Sequence, residues 1–161
     1  MPKPAFSKEN AAAIAGHVPA DQILRGTQRH LQALNFESLP EVPLRNGRRA
    51  DVMAIGPAGE IWIVEIKSSI ADFRADNKWP EYVGYCDALY FAAAPAFPHA
   101  ILPAAHGLIV ADSFGADIIR TSRAQKLSAA RRKAVTLAFG RIASSRLLRM
   151  IDPGAFEARQ F

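Results

Sequence analysis

Residues 50–67 read ADVMAIGPAGEIWIVEIK and carry the clearest secondary-structure signal in the chain. The alternation of polar and apolar residues from Ala50 to Ile55 predicts one strand. The apolar run Ile61–Lys67 predicts another, the strongest strand signal in the chain. Between them, Gly-Pro-Ala-Gly at 56–59 is typical of a turn. The centre of the chain is therefore predicted to be a β-hairpin.

The hairpin carries two acids and a lysine in an otherwise apolar setting. Alternate side chains of a strand share a face, so Glu65 and Lys67 are expected on one side of the sheet. A loop over residues 56–60 places Asp51 directly opposite Glu65, whereas a loop shorter by one residue turns Asp51 to the other face. Two carboxylates at that distance repel unless a cation lies between them, and hard oxygen ligands suit Mg²⁺ or Mn²⁺. The alternative is a structural acid that is salt-bridged to Lys67.

The flanking sequence predicts further strands and helices on both sides of the hairpin. A helical face spans 21–34 with Asp21 as its N-cap, and Pro40 and Pro43 indicate an edge strand over 36–44. Later elements are a helix over about 72–87 that starts afresh at Pro80, strands over 88–94, 107–111 and 116–120, and a helix over 128–150 capped by Ser128. This order predicts an α/β or α+β fold with one mixed central sheet flanked by helices. Residues 1–19 are expected to form a flexible N-terminal arm and residues 20–161 a single domain.

Composition excludes several classes of protein. A chain of 161 residues is close to one ordinary domain. The single cysteine, Cys86, rules out a disulfide within the chain and a zinc site built on cysteines, and it indicates the cytoplasm, where thiols stay reduced. No run of 18 apolar residues predicts a transmembrane helix, so we expect no membrane partner. Nucleotide-binding loops and the motifs of serine hydrolases and zinc proteases are missing from the sequence.

The charge of the chain is unevenly distributed. The net charge is only +5, but residues 118–151 contain no acid at all. The basic residues of that stretch are Arg120, Arg123, Lys126, Arg131, Arg132, Lys133, Arg141, Arg146 and Arg149. A basic helix suits a phosphate backbone, so we expect DNA contacts at Arg131, Arg132 and Lys133. A solvated helix and a helix on a membrane surface are the alternatives.

The hairpin resembles a known nuclease superfamily, and the hairpin together with the residues that follow it resembles a known protein family. Asp51 followed by Glu65-Ile66-Lys67 at the end of an apolar strand resembles the PD-(D/E)xK nuclease superfamily. The runs GRRAD at 47–51, VEIKSS at 64–69 and DFRADNKWPEY at 72–82 resemble the MmcB family of bacterial DNA-repair proteins. The similarity covers about residues 20–150. The chain departs from the superfamily pattern in having Ala50 before the hairpin acid and no clear acid from the first helix.

This resemblance implies a restriction-endonuclease-like core and a metal-dependent DNA nuclease that acts in DNA repair. Asp51, Glu65 and the backbone carbonyl of Ile66 would bind Mg²⁺ or Mn²⁺, and Lys67 would orient the attacking water. Glu41 is a candidate for a further carboxylate, and its alternative role is a surface acid on an edge strand. The competing function is a catalytically weak or inactive nuclease-fold protein that binds DNA or acts as an adaptor. An RNA-processing nuclease also stays open.

Residues near this centre are candidates for DNA contacts. Trp79 and Tyr82 could stack on exposed bases and Lys78 could meet a phosphate, although both aromatic rings could instead pack a helix onto the sheet. Arg48 and Arg49 could approach phosphates, or simply lie in a solvated turn. Structural capping is the expected role of Asp72 and Asp76. The sequence leaves open whether the protein forms a homodimer or acts with other repair proteins.

Overall fold

The computed structural model describes residues 18–155, which fall into two compact units that meet at Leu127 and Ser128. Each unit is described by itself. Most of the predicted N-terminal arm, 1–17, lies outside the described residues, and Val18 at its end is buried in the core of the first unit. The prediction of a single domain over 20–161 stays a prediction.

The first unit contains a mixed sheet of six strands in the order in which they occur along the chain. The first three strands are antiparallel, the third to fifth are parallel, and the sixth is antiparallel to the fifth. The strands are β1 (Glu37–Pro43), β2 (Arg49–Ile55), β3 (Ile61–Lys67), β4 (Ala88–Ala93), β5 (Gly107–Ala111) and β6 (Ala116–Arg120). This sheet, with its flanking helices, confirms the predicted α/β class.

Helical segments accompany the sheet. In the first unit they are α1 (Ala20–Ala33), α2 (Ile70–Ala75) and two 3₁₀ helices, Trp79–Tyr85 and His99–Ile101. The predicted helical region over about 72–87, broken or started afresh at Pro80, is present as two segments, and Pro80 lies in the first turn of the second. Only the type of the second segment differs, because it is a 3₁₀ helix. Ser69 starts α2 early, because its Oγ accepts from the Asp72 N–H at 3.1 Å, and the chain leaves the α-helical conformation at Asp76. The N-cap of α1 is Pro19, and Asp21 lies in the first turn instead of capping it.

The core lies on both faces of the sheet. One face packs Val52, Val64 and Tyr90 against α1 residues such as Ile23 and Leu31. The other face gathers a second cluster around Phe91, and Phe73 and Trp79 pack against it. Glu65 and Lys67 lie on this second face, because they pair in register with Phe91 and Ala93 of the neighbouring parallel strand. The sheet thus positions two charged side chains within an apolar layer.

The second unit contains the long helix α3 (Ala129–Ile151). Its predicted N-cap is confirmed, because the Ser128 Oγ accepts from the Arg131 N–H at 3.3 Å. Across residues 18–155, no helix is long and apolar enough to cross a membrane. A cytoplasmic location stays a prediction.

Candidate functional site

The register of the central hairpin brings the two predicted acids to the same end. The regular ladder runs from Ile55 opposite Ile61 to Val52 opposite Val64, which confirms a loop over residues 56–60. One step further along the same register lie Asp51 and Glu65, where the ladder no longer continues. The turn therefore places the two carboxylates as neighbours on adjacent strands.

Side-chain hydrogen bonds replace the ladder at this point. The backbone N–H of Asp51 donates to Glu65 Oε1 at 3.3 Å, and the backbone N–H of Ile66 donates to Asp51 Oδ2 at 2.8 Å. Each carboxylate thus takes a position that a strand carbonyl would otherwise fill as acceptor. The exchange fixes both carboxylates against the backbone and holds them together at the strand ends.

Burial makes this acid pair electrostatically unfavourable when both members are ionised. Glu65 is only 2% exposed, and its burial, followed by the charge of Asp51, raises the pKa of Glu65 to about 8. Burial also raises the pKa of Asp51, outweighing the Ile66 N–H and the charge of Lys67. A bound cation would relieve both the desolvation and the repulsion.

Lys67 is the buried counter-charge of the site. Its Nζ binds Asp76 Oδ2 and lies 3.9 Å from Glu65 Oε2. The other Asp76 oxygen accepts from the Lys78 N–H at 2.9 Å. Burial favours the neutral form of Asp76, but the Lys67 hydrogen bond, the Lys78 N–H and both lysine charges keep its pKa below the usual range. Asp76 therefore does more than end α2, since it also holds the lysine of the predicted motif.

These groups line one cavity of about 680 Å³ in the first unit. Asp21 of α1 also lines it, so the first helix does contribute an acid to the site. Asp21 reaches the cavity because it lies in the first turn of α1. The lining residues are Ala20, Asp21, Leu24, Glu41, Asp51, Glu65, Ile66, Lys67, Ser68, Asp72, Ala75, Asp76, Lys78 and Tyr82. Six of these residues are acids and two are lysines, so the cavity is acidic.

Glu41 lies at an irregular point of β1. The ladder pairs Pro40 with Val52 and Val42 with Ala50, while Glu41 between them has a φ of 53°. This left-handed conformation is unfavourable for a residue with a side chain, and such residues often occur at functional sites. The Glu41 carboxylate pairs with Arg49 Nη1 at 2.8 Å, and its charge contributes to the raised pKa of Asp51.

The donor set suits a cation that keeps much of its own water. Across residues 18–155, no group of three or more His, Cys, Asp or Glu side chains is arranged to hold a metal ion. Asp51 and Glu65 nevertheless supply two hard carboxylates, and Mg²⁺ is commonly held by one or two carboxylates together with waters. The residues therefore fit Mg²⁺ or Mn²⁺, and Ile66 lies in the same cavity wall.

The arginines predicted to approach phosphate are both paired with acids. Arg48 forms a two-pronged contact with Glu81, with Nε and Nη2 at 2.9 and 2.7 Å from the carboxylate oxygens. Arg49 pairs with Glu41. A phosphate would have to compete with these carboxylates, whereas Lys78 already lies in the cavity wall.

Trp79 and Tyr82, the two predicted stacking residues, both contact other residues of the first unit. Tyr82 is 4% exposed, and its hydroxyl donates to the Arg49 carbonyl oxygen at 3.2 Å. The ring of Trp79 packs edge-on against Phe91 and His106, with centroids 5.7 and 4.9 Å apart. Both rings therefore help to pack the 3₁₀ helix against the sheet, and their stacking on DNA bases stays a prediction.

The basic residues of the second unit begin at the start of α3. Arg131, Arg132 and Lys133 occupy the first two turns of α3, close to its N-cap Ser128. Cations at this end are unfavourable for the helix dipole, so they do not stabilise α3. A basic helix N-terminus instead suits an anion.

The fold is shared with a known structure. SPO1766, a protein of unknown function from Silicibacter pomeroyi, is 46% identical and superposes with a TM-score of 0.81, covering 84% of this chain and 93% of that chain. No curated protein matches the chain. A family model described as DNA repair protein MmcB-like matches residues 9–154, which confirms the predicted resemblance to the MmcB family. The chain therefore belongs to the MmcB-like family of DNA repair proteins.

Proposed function

We propose that this DNA repair family member is a Mg²⁺- or Mn²⁺-dependent DNA nuclease. The observation that carries the proposal is the buried acid pair, in which Glu65 has a pKa of about 8 beside Asp51 and Lys67. A fold gains nothing in stability from two adjacent, poorly solvated carboxylates, so a cation or a reaction must explain them. The membership in a DNA repair family supports DNA as the substrate.

Each residue of the pair has a defined part in binding. Asp51 and Glu65 would hold the metal, and the backbone hydrogen bonds from Asp51 and Ile66 orient their carboxylates towards one another. When bound, such a metal activates water and stabilises negative charge on the phosphate. Glu65 must give up its proton for binding, so loading with metal releases a proton near neutral pH.

Lys67 would act on the substrate side of the cavity. Its ammonium group is buried, and Asp76 fixes its position. A fixed cation beside the scissile phosphate orients the attacking water and neutralises charge that develops in the transition state. Asp76 is on this account a positioning residue, because it acts through Lys67.

Cleavage assays on the purified full chain test the proposal. Single-stranded, duplex, flapped and branched DNA are incubated with Mg²⁺, with Mn²⁺ and with EDTA, and an RNA strand is included as a further substrate. We expect metal-dependent cleavage of DNA that falls about a hundredfold or more in Asp51→Asn and in Lys67→Met. Glu37→Gln, which removes an exposed acid from β1, is the matched control and should cleave like the wild type. Cleavage that persists in both site variants would contradict the proposal.

A DNA-binding protein or adaptor without catalysis is the second candidate. Two observations on the described residues favour it: the carboxylates do not form a cluster of three, and Asp76 already neutralises Lys67. The discriminating result is tight DNA binding with no cleavage under any metal condition. A homodimer and other repair proteins stay predictions as partners, and analytical ultracentrifugation with and without DNA would test the first.

A further inference from the structure

The turn between β5 and β6 presents an aromatic ring to solvent. Phe114 is 80% exposed on the Asp112–Gly115 turn, far more than other aromatic residues of the first unit such as Trp79 and Tyr82. An exposed phenyl ring contributes nothing to the core, and a polar residue would serve a solvent-facing turn better. The ring is therefore available to a ligand at the surface of the first unit.

The turn that carries Phe114 is rigid. Asp112 Oδ1 accepts from the N–H groups of Phe114 at 2.7 Å and of Gly115 at 3.1 Å. The Asp112 N–H in turn donates to the Gly115 carbonyl oxygen at 3.0 Å. Because Asp112 is itself buried, this small network fixes the backbone on both sides of the ring.

Helix α1 also holds the turn through hydrogen bonds from one of its side chains. Arg29 Nη1 donates to the carbonyl oxygens of Ser113 and Phe114 at 3.4 and 3.3 Å. Gly26 allows the helix to approach this closely, because a Cβ at that position would overlap the Asp112 carbonyl oxygen. The ring is thus presented from a fixed base, so a ligand that binds it meets a preorganised surface.

Phe114 borders a cleft of about 610 Å³ that adjoins the acid cavity. The cleft is lined by Asp21, Gln22, Arg25, Arg29, Ser113 and Phe114. Asp21 lines both this cleft and the acid cavity, so the two lie next to the same residue at the start of α1. Arg25 and Arg29 are one helical turn apart and exposed on the same side of α1, which gives the cleft more positive than negative charge.

We propose that this cleft binds an unpaired nucleotide of the DNA strand whose neighbouring part enters the acid cavity. The base would stack on Phe114, and the phosphate would meet Arg25 and the guanidinium nitrogens of Arg29 that the turn does not use. Stacking on an aromatic ring tolerates any base, and an arginine matches phosphate geometry. The remaining lining is polar, so a nucleotide fits better than an apolar segment of a protein. The assignment rests on the proposed function in one respect only, that the protein binds DNA.

A reporter at the ring tests base stacking directly. In Phe114→Trp, stacking with a base should quench the fluorescence of the new indole on titration with oligothymidylate, whereas a blunt DNA duplex should not quench it. Phe114→Ala should weaken binding of oligothymidylate about tenfold, measured by fluorescence anisotropy, and should leave duplex affinity unchanged. Arg25→Ala should weaken binding of the single strand and lower the salt slope by about one.

The control is Ile119→Ala, which removes another exposed apolar side chain, in β6. It should bind DNA like the wild type, and circular dichroism should show that all variants are folded. Suppose that the wild type binds DNA, that Phe114→Ala binds it equally well and that Phe114→Trp shows no quenching. This result overturns the proposed nucleotide cleft and leaves the nuclease proposal untouched. Equal weakening of single-stranded and duplex binding overturns the nucleotide cleft as well. Absence of any DNA binding by the wild type overturns both proposals, whereas binding without cleavage affects only the nuclease.

Discussion

The two ends of the β2–β3 hairpin follow different rules. Near the turn, from Ile55–Ile61 to Val52–Val64, the backbone ladder is regular and the side chains are mostly apolar and buried. At the open end, Asp51 and Glu65 replace the ladder with hydrogen bonds from their own side chains to backbone. The turn end contributes buried apolar packing and regular backbone pairing. At the open end, regular pairing stops and charged side chains lie close together. This contrast is tested by variants that remove either buried apolar packing at the turn end or a charge at the open end.

The largest stability effect is expected at the turn end. Ile63 is fully buried, so Ile63→Ala should lower the free energy of unfolding by about 4 kcal/mol, measured by urea denaturation. Ile119→Ala, which truncates a side chain that is 61% exposed, should change it by about 0.5 kcal/mol or less. Equal effects at the two positions would mean that the turn end is not the stabilising half.

At the open end, removing a charge should stabilise the metal-free protein. The pKa of Glu65 is raised from 4.5 to about 8 by burial and then by Asp51, so its contribution to stability is complete below pH 4.5 and is lost as the pH rises to about 8. In EDTA, Glu65→Gln should therefore match the wild type near pH 4. At pH 9 it should be more stable by about 3 kcal/mol, because the repulsion is shared with Asp51 and either acid can keep the proton.

Urea denaturation in EDTA at the two pH values measures this difference, and Glu37→Gln controls for the removal of one exposed carboxylate. Mg²⁺ should reverse the order at pH 9 by stabilising the wild type and not Glu65→Gln. A wild type more stable than Glu65→Gln at pH 9 without metal would show that the open end is not under charge strain.

A smaller effect is expected where Lys67 is held. Asp76→Asn leaves the buried ammonium without its closest carboxylate and should lower the free energy of unfolding by about 2 kcal/mol. Asp72→Asn, an exposed acid of the same helix and cavity, is the matched control. If both variants unfold at the same urea concentration as the wild type, Asp76 does not position Lys67.

The sequence was sufficient where local rules determine the structure. The Gly-Pro-Ala-Gly turn correctly predicted a hairpin and narrowed its register to two, of which the structure has the one that brings Asp51 and Glu65 together. Ser128 correctly marked the start of α3, because N-capping depends on the next few residues only. Pro40 and Pro43 correctly predicted an edge strand, since proline cannot donate to a central ladder.

Features that depend on distant parts of the chain were not predictable in the same way. The capture of Lys67 by Asp76 depends on where α2 ends relative to β3, which no spacing rule specifies. Trp79 and Tyr82 had the same helical spacing whether they faced solvent or core, so only the packed structure decides. Phe114 left a signal that was overlooked: a large aromatic residue in the Asp-Ser-Phe-Gly turn at 112–115 is unusual where polar residues dominate.

The consecutive order of the strands has a consequence for synthesis. Each strand pairs with the one before it, so the sheet can be extended as the chain leaves the ribosome. Every residue that lines the acid cavity lies between Ala20 and Tyr82, ahead of β4. On a nascent chain that ends there, β3 lacks its parallel neighbour and the carboxylates face water. We therefore expect the acid pair to stay hydrated in the interval between the synthesis of β3 and that of β4, and to be desolvated only when β4 joins the sheet.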